Sequence, residues 1–206
     1  MMPSQKDAWN ELYRSQSRPW KGVVTTKTQF PFAKGDKILD LGCGNGKTSL
    51  ALIEEGYDVT GADISEAAVE TCMKLYGSRM RTICASASSM PLNDMEMDGA
   101  VMIHILEHLD NDELNAAVKE LHRILKGDAK VFVRVFHKDD MRSDKGERID
   151  ENTVVRGNGI RYRYFTEDDL RNAFSGFHET SMIRVNERTK FNENRSRIEA
   201  VFERPA

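Results

Sequence analysis

The stretch that most constrains the fold is residues 37–48, where an apolar run leads into three alternating glycines and then a helical pattern. Gly42, Gly44 and Gly46 have the spacing G-x-G-x-G. A dinucleotide fingerprint needs G-x-G-x-x-G, but Lys47 stands where its third glycine would fall, and the phosphate-loop pattern G-x-x-x-x-G-K-[ST] is also missing here. The stretch predicts the first strand, loop and helix of a nucleotide-binding α/β unit.

The glycines permit left-handed backbone conformations and a close approach of the main chain to a ligand. The helix that follows presents unpaired N–H groups and a partial positive charge, which suit a carboxylate. Without a ligand, the same glycines would form only a tight strand-to-helix turn. Asp63 favours a ligand, because it ends the predicted second strand, where a carboxylate can accept hydrogen bonds from both hydroxyls of a ribose.

Apolar and polar residues predict alternating strands and helices through most of the chain. Predicted helices cover residues 4–16, 48–56, 65–77, 110–126 and 166–175, and predicted strands cover 37–41, 58–63, 81–86, 97–103, 129–136, 179–188 and 197–204. Alternation of this kind predicts a parallel sheet with helices on both faces. The last two strands have no long helix between them, so we expect an antiparallel hairpin at the sheet edge.

The glycine loop with Asp40 before it resembles the first motif of the class I S-adenosylmethionine (SAM) methyltransferases, and the similarity covers residues 35–136. It implies a Rossmann-like α/β fold with a seven-stranded, mostly parallel sheet, and SAM as cofactor. The implied cofactor-binding residues are Asp40, Gly42, Cys43, Gly44, Asn45, Gly46, Asp63, Ile64, Ser86, Ala87, Ile103 and Trp20. Ser86 stands in the place of the family's adenine-binding acid, and a hydroxyl is a weaker acceptor with a shorter reach.

Two segments outside the similarity are expected to cover the site. Residues 8–14 with Pro19-Trp20 resemble the N-terminal segment of the tellurite-resistance and thiopurine methyltransferase-like branch, which folds over the cofactor cleft. Residues 137–165 form a long irregular stretch after a strand end, where open α/β sheets bind ligands. We therefore predict one domain, residues 1–206, with an N-terminal lid over 1–34 and a substrate-side insertion over 137–165. Simple packing of the helix, or a solvated loop, remains the alternative for each.

Residues 104–109, His-Ile-Leu-Glu-His-Leu, resemble the fourth motif of the same family. They also resemble half of a zinc-protease motif, but the glutamate does not follow the first histidine, so no metal site is predicted. Methyl transfer from a sulfonium mainly requires the reacting atoms to be aligned. An amine or hydroxyl acceptor would also need a base, for which His104 and His137 are the candidates.

Composition bears on the acceptor and the location. The net charge of −3 gives no overall basic surface for nucleic acid. The charge weakens a nucleic-acid acceptor. The size of the chain, the absence of an appended recognition domain and the opening residues Trp9, Tyr13, Pro19 and Trp20 favour a small-molecule acceptor, with an RNA- or protein-directed methyltransferase and a non-catalytic SAM-binding protein as alternatives. Three scattered cysteines, a polar beginning and the lack of a long apolar run predict a cytoplasmic protein without a membrane segment. The sequence leaves the oligomeric state open.

Overall fold

The computed structural model describes residues 4–16, 28–189 and 191–206. Its strands are β1 Lys37–Leu41, β2 Asp58–Asp63, β3 Arg81–Cys84, β4 Met97–Ile103, β5 Leu125–Phe136, β6 Glu147–Arg148, β7 Thr153–Val155, β8 Arg161–Arg163, β9 His178–Arg188 and β10 Asn194–Glu203. Seven of them form one sheet in the order β3-β2-β1-β4-β5-β10-β9. The first five are parallel, and β10 is antiparallel to both β5 and β9. The predicted Rossmann-like fold is thereby confirmed, including its antiparallel C-terminal hairpin.

Four of the five α-helices among the described residues begin at a side-chain cap, and α2 begins at Gly46 without one. They are α1 Gln5–Ser15, α2 Lys47–Glu55, α3 Glu66–Tyr76, α4 Asn111–Ile124 and α5 Glu167–Ala173. The Ser65 hydroxyl accepts a hydrogen bond from the Ala68 N–H at the start of α3, and Asp110 and Glu113 form a capping box at α4. None of these helices is long and apolar enough to cross a membrane.

Residues along the central strands alternate between two cores, one on each face of the sheet. Leu39, Ala100 and Val133 lie in the core that α4 and α5 cover. Ile38 and Val101 lie in the opposite core, which contains Leu52 of α2. This alternation is why the helices cover both faces of the sheet.

The insertion is more regular than its sequence predicts. Within residues 137–165, strands β6, β7 and β8 form a small antiparallel sheet. Its apolar side chains make a third core with α1, in which Val154, Ile160 and Tyr162 join Ala8 and the partly buried Trp9. The prediction of an irregular loop here was wrong. Strands of two or three residues give almost no periodic pattern, and their apolar side chains pack on α1, which is far away in the sequence.

Candidate cofactor and acceptor site

A cavity of about 870 Å³ opens at the carboxyl ends of β1, β2, β4 and β5. This is the edge where an open α/β sheet binds ligands, next to the point where the strand order reverses. The loop after β1 and Asp63 line one side of the cavity, and α1, the insertion and β10 contribute the other. The cavity therefore has a cofactor side and an acceptor side, built from different parts of the chain.

Two glycines of the β1–α2 loop have different neighbours. Gly44 has φ +55° and lines the cavity, and a Cβ added there would lie 2.4 Å from the Tyr13 hydroxyl oxygen. Gly46 has φ +77°, and an added Cβ would lie 2.2 Å from the Tyr76 ring. Gly46 does not line the cavity. A glycine is needed at this position because a side chain would collide with Tyr76 and Cys72 of α3.

Asp63 holds the loop and faces the cavity. Its Oδ2 accepts a hydrogen bond from the Gly44 N–H at 2.9 Å, and its Oδ1 accepts one from the Ser65 N–H at 2.8 Å. Burial raises the pKa of Asp63, while these two N–H groups act in the opposite direction. Each carboxylate oxygen can accept a second hydrogen bond, so the group can still receive a ribose hydroxyl.

Asp40 lies behind the loop and not in the cavity. It is 2 % exposed, and the Ser49 hydroxyl of α2 donates to its Oδ2 at 2.6 Å. Burial raises the pKa of Asp40 to about 7. The position indicates that Asp40 fixes α2 against β1, so the structure does not bring this predicted cofactor residue to the cavity.

Most of the other predicted cofactor residues do line the cavity: Gly42, Cys43, Asn45, Ile64, Ser86, Ala87 and Ile103. The Ser86 hydroxyl forms a 2.9 Å hydrogen bond with the Ser88 hydroxyl and accepts a longer one from the Ser88 N–H. Trp20 lies outside the described residues. Within those residues, no group of three or more His, Cys, Asp or Glu side chains could hold a metal ion.

The two candidate histidines have different surroundings. His104 lines the cavity, its Nδ1 lies 2.8 Å from Glu107 Oε1, and its backbone has φ +57°. His137 is 2 % exposed and does not line the cavity. Its Nδ1 accepts a hydrogen bond from the Asp139 N–H, and burial lowers its pKa. The structure therefore keeps His104 at the site and places His137 outside it.

Sequence reasoning missed most of the charged groups on the acceptor side. Arg142 lines the cavity and pairs with the buried Asp140. Arg134 of β5 and Arg197 of β10 also line it, and both donate to the carboxylate of Glu199. The spacing of Arg134 and Glu199 in the sequence gives no signal, because these two partners come together only when β10 pairs with β5.

Aromatic rings also line the acceptor side of the cavity. Trp9 of α1 stacks with Tyr13, with ring centroids 5.9 Å apart, and meets the His108 ring edge-on at 4.7 Å. His108 also contacts Tyr162 of the insertion at 4.8 Å. The N-terminal helix, the fourth motif and the insertion thus meet in one aromatic cluster at the cavity.

Comparison with known proteins agrees with this geometry. A family model described as a methyltransferase domain matches residues 38–128. The chain is 31% identical over 153 residues to the tRNA N(3)-cytidine methyltransferase METTL2 of Bos taurus, covering 68% of this chain and 40% of that relative. The chain belongs to the class I SAM-dependent methyltransferases. This confirms the resemblance predicted from the glycine loop.

Two further relatives extend the comparison. The chain is 28% identical to the tRNA(Thr) (cytosine(32)-N(3))-methyltransferase of Saccharomyces cerevisiae. The match covers 82% of this chain and 30% of the yeast protein. A SAM-dependent methyltransferase of Methanosarcina mazei shares the fold with TM-score 0.76 and 24% identity, over 86% of this chain and 98% of the other. The chain therefore spans less than half the length of the curated relatives it matches here.

The residues on the cofactor side fit SAM, the cofactor of this family. The N–H groups at the start of α2 suit its carboxylate, and Asp63 suits its ribose. Ile64 is 37 % exposed and gives an apolar contact at the cavity wall. When bound, SAM supplies an activated methyl group.

Proposed function

We propose that this protein methylates a ring nitrogen of a nucleobase in RNA, with N3 of cytidine in tRNA as the first acceptor to test. The observation that carries the proposal is the acceptor side of the cavity. It combines flat rings with a fixed guanidinium group, a set suited to a flat heterocycle that has left a base stack. The METTL2 relatives carry cytidine N3 methylation in their names, which supports the same acceptor.

The chemistry needs no base. The N3 lone pair of cytosine forms a bond to the methyl carbon, the bond from that carbon to sulfur breaks, and its electron pair stays on sulfur. The ring becomes a cation, and the cofactor product becomes a neutral thioether. The protein's task is to align N3 with the methyl group and to stabilise the ring's developing charge.

Charge supports RNA only locally. The whole chain carries −3, but the exposed Arg195 lines the cavity mouth near Arg142 and Arg197. A few phosphate contacts would therefore guide the strand, and most recognition would come from the base in the cavity. We expect the RNA affinity to fall with salt along a shallow slope of only about two or three phosphate contacts.

The test is an incubation of the purified protein with methyl-labelled SAM and unmodified tRNA, followed by digestion and mass spectrometry of the nucleosides. We expect 3-methylcytidine. The Asp63→Ala variant is the control, because it removes the carboxylate on the cofactor side. Label in small heterocycles, amines or thiols with none in tRNA would overturn the RNA acceptor and favour the small-molecule expectation. Absence of SAM binding by calorimetry would overturn the enzyme itself.

A further inference from the structure

Two polar side chains on the acceptor side share one aromatic neighbour. The Phe136 ring, at the end of β5, stacks with the His104 imidazole, with centroids 4.1 Å apart and planes inclined by 26°. The Arg142 guanidinium carbon lies 4.0 Å from the centroid of the same ring. All three side chains line the cavity. Phe136 thus sets the positions of a hydrogen-bonding imidazole and a guanidinium in one wall.

Arg142 is held so that one of its nitrogens stays available. Its Nε and Nη2 donate to the two carboxylate oxygens of Asp140 at 2.7 and 3.0 Å. Asp140 has a fully buried side chain and also accepts from the Ser196 N–H at 3.0 Å. The bidentate pair fixes the plane of the guanidinium. Among the described residues, Nη1 has no acceptor.

The imidazole of His104 is also fixed in position by a hydrogen bond. Glu107 is fully buried, and its Oε1 accepts hydrogen bonds from His104 Nδ1 at 2.8 Å and from the Phe136 N–H at 2.9 Å. A proton assigned to Nδ1 leaves Nε2 as an acceptor. The left-handed backbone of His104, unusual for a residue other than glycine, is the kind of strain that accumulates at functional sites.

We propose that Arg142 Nη1 donates to O2 of the acceptor cytosine and that His104 Nε2 accepts from its 4-amino group. This inference rests on the function proposed above and adds the residues that select the base. Cytosine alone among the pyrimidines combines an O2 acceptor, an N3 lone pair and an amino donor at position 4. Uracil would place its O4 acceptor against Nε2 and carries a proton on N3, so the same pair rejects it.

The charges of these residues suit the cation that forms. Arg142 alone would oppose positive charge on the ring, but its pairing with Asp140 makes the two groups neutral together. Glu107 bonds to the neutral imidazole of His104 and adds a negative charge that has no cationic partner among the described residues. An acceptor ring held between Nη1 and Nε2 therefore gains its charge beside the neutral Arg142–Asp140 pair and the carboxylate of Glu107.

The experiment pairs protein variants with altered bases in one tRNA transcript. The target position carries cytosine, 2-thiocytosine, which weakens the O2 acceptor, or 2-pyrimidinone, which lacks the amino group. The variants are Arg142→Gln and His104→Asn, the latter because asparagine tolerates a left-handed backbone. Arg184→Gln is the matched control, since Arg184 pairs with Asp139 outside the cavity. Single-turnover rates are measured at saturating SAM.

We expect each altered base to slow the wild type and Arg184→Gln by about 10- to 100-fold, the loss of one charge-assisted or buried hydrogen bond. Arg142→Gln should be equally slow on cytosine, and 2-thiocytosine should slow it about 10- to 100-fold less than it slows the wild type. His104→Asn should likewise be slowed by 2-pyrimidinone about 10- to 100-fold less than the wild type. Changes in the intrinsic reactivity of N3 cancel, because every variant is compared on the same bases.

Two distinct results would contradict the inference or its basis. Equal losses for all three bases in both variants, with unchanged SAM affinity, would overturn base selection and leave the RNA methyltransferase standing. Failure of the wild type to methylate cytidine would overturn the proposed function as well. If Arg142→Gln does not fold, Arg142→Lys keeps the charge beside Asp140 but lacks Nη1, and 2-thiocytosine must slow it less than it slows the wild type.

Discussion

The two sides of the cavity are built in opposite ways. On the cofactor side, contacts join residues close in the sequence and many involve the backbone: Gly44 to Asp63, Asp63 to Ser65, and Ser49 to Asp40. On the acceptor side, side chains join segments that are far apart, as Gln5 joins residue 159 and Arg134 joins Glu199. The first side is a short, nearly continuous motif, whereas the second exists only once the whole sheet has formed.

The largest effect that tests this comparison is the pH dependence of Asp40 on the cofactor side. Its pKa of about 7 lies above the value of about 3.9 for an unfolded aspartate, so the folded protein binds this proton more tightly. Its contribution to stability is therefore complete below about pH 4 and is lost as the pH rises through about 7. Relative to wild type, Asp40→Asn should gain up to about 4 kcal/mol in unfolding free energy across that range.

Urea unfolding at several pH values measures this gain. Asp58→Asn, at the exposed start of β2, is the control for the loss of one carboxylate. A constant difference between Asp40→Asn and wild type from pH 4 to 8 would mean that Asp40 is not held protonated by its burial.

Asp63→Ala should weaken SAM binding by about 10- to 150-fold, the equivalent of about 1.5 to 3 kcal/mol for a lost charge-assisted hydrogen bond. The loop also loses the acceptor of the Gly44 N–H. Calorimetry with SAM measures the change, and Asp58→Ala, at the far end of the same strand, should bind normally. Wild-type affinity in Asp63→Ala would place the ribose elsewhere.

On the acceptor side, Glu199→Gln should reduce stability by about 1 to 3 kcal/mol, because Arg134 and Arg197 both donate to the carboxylate of Glu199. Arg134 has a side chain only 11 % exposed and has no other carboxylate partner within the described residues. Glu187→Gln, whose side chain is 47 % exposed, should cost under about 1 kcal/mol. Equal thermal shifts for the two variants would contradict the buried role of Glu199.

The smallest expected effect concerns the attachment of α1. Gln5 donates to the carbonyl of residue 159 at 3.0 Å and accepts from the Arg161 N–H at 3.1 Å. Gln5→Ala should cost about 1 kcal/mol locally and speed amide exchange in β8, without changing exchange in β1 or β4. The exposed Glu11→Ala is the matched control on the same helix. Unchanged exchange at Arg161 would show that the helix is held by its apolar face alone.

This contrast explains what the sequence could predict. The strand bounds 58–63 and 97–103, the cap at Ser65 and the place of Asp63 follow from short-range patterns, and the structure has them as expected. Asp40 was placed at the cofactor because it precedes the glycines, but strand alternation turns it to the α2 face. His137 was proposed as a candidate base for an amine or hydroxyl acceptor, yet its side chain is buried away from the cavity.

The acceptor side gave no comparable signal. The pairs of Arg142 with Asp140 and of His104 with Glu107 are close in sequence, but what they do depends on Phe136 lying between them in space. In a segment with nearly equal numbers of acids and bases, charge alone does not single out Arg142. The favoured small-molecule acceptor rested on the size of the chain and its aromatic N-terminal residues, and overall charge was taken to weaken a nucleic-acid acceptor. None of these describes the local charges that line this cavity.

The position of α1 has a thermodynamic consequence. Asn10 accepts hydrogen bonds from the Ser65 hydroxyl and the Ala67 N–H on the cofactor side, while Gln5 is bonded to the insertion on the other. The helix α1 thus contacts both the cofactor side and the acceptor side of the cavity. If SAM orders α1, it lowers the entropy cost of forming the acceptor site, and the acceptor must then raise the affinity for SAM by the same factor. In that case the two binding equilibria would be linked through the eleven residues of α1.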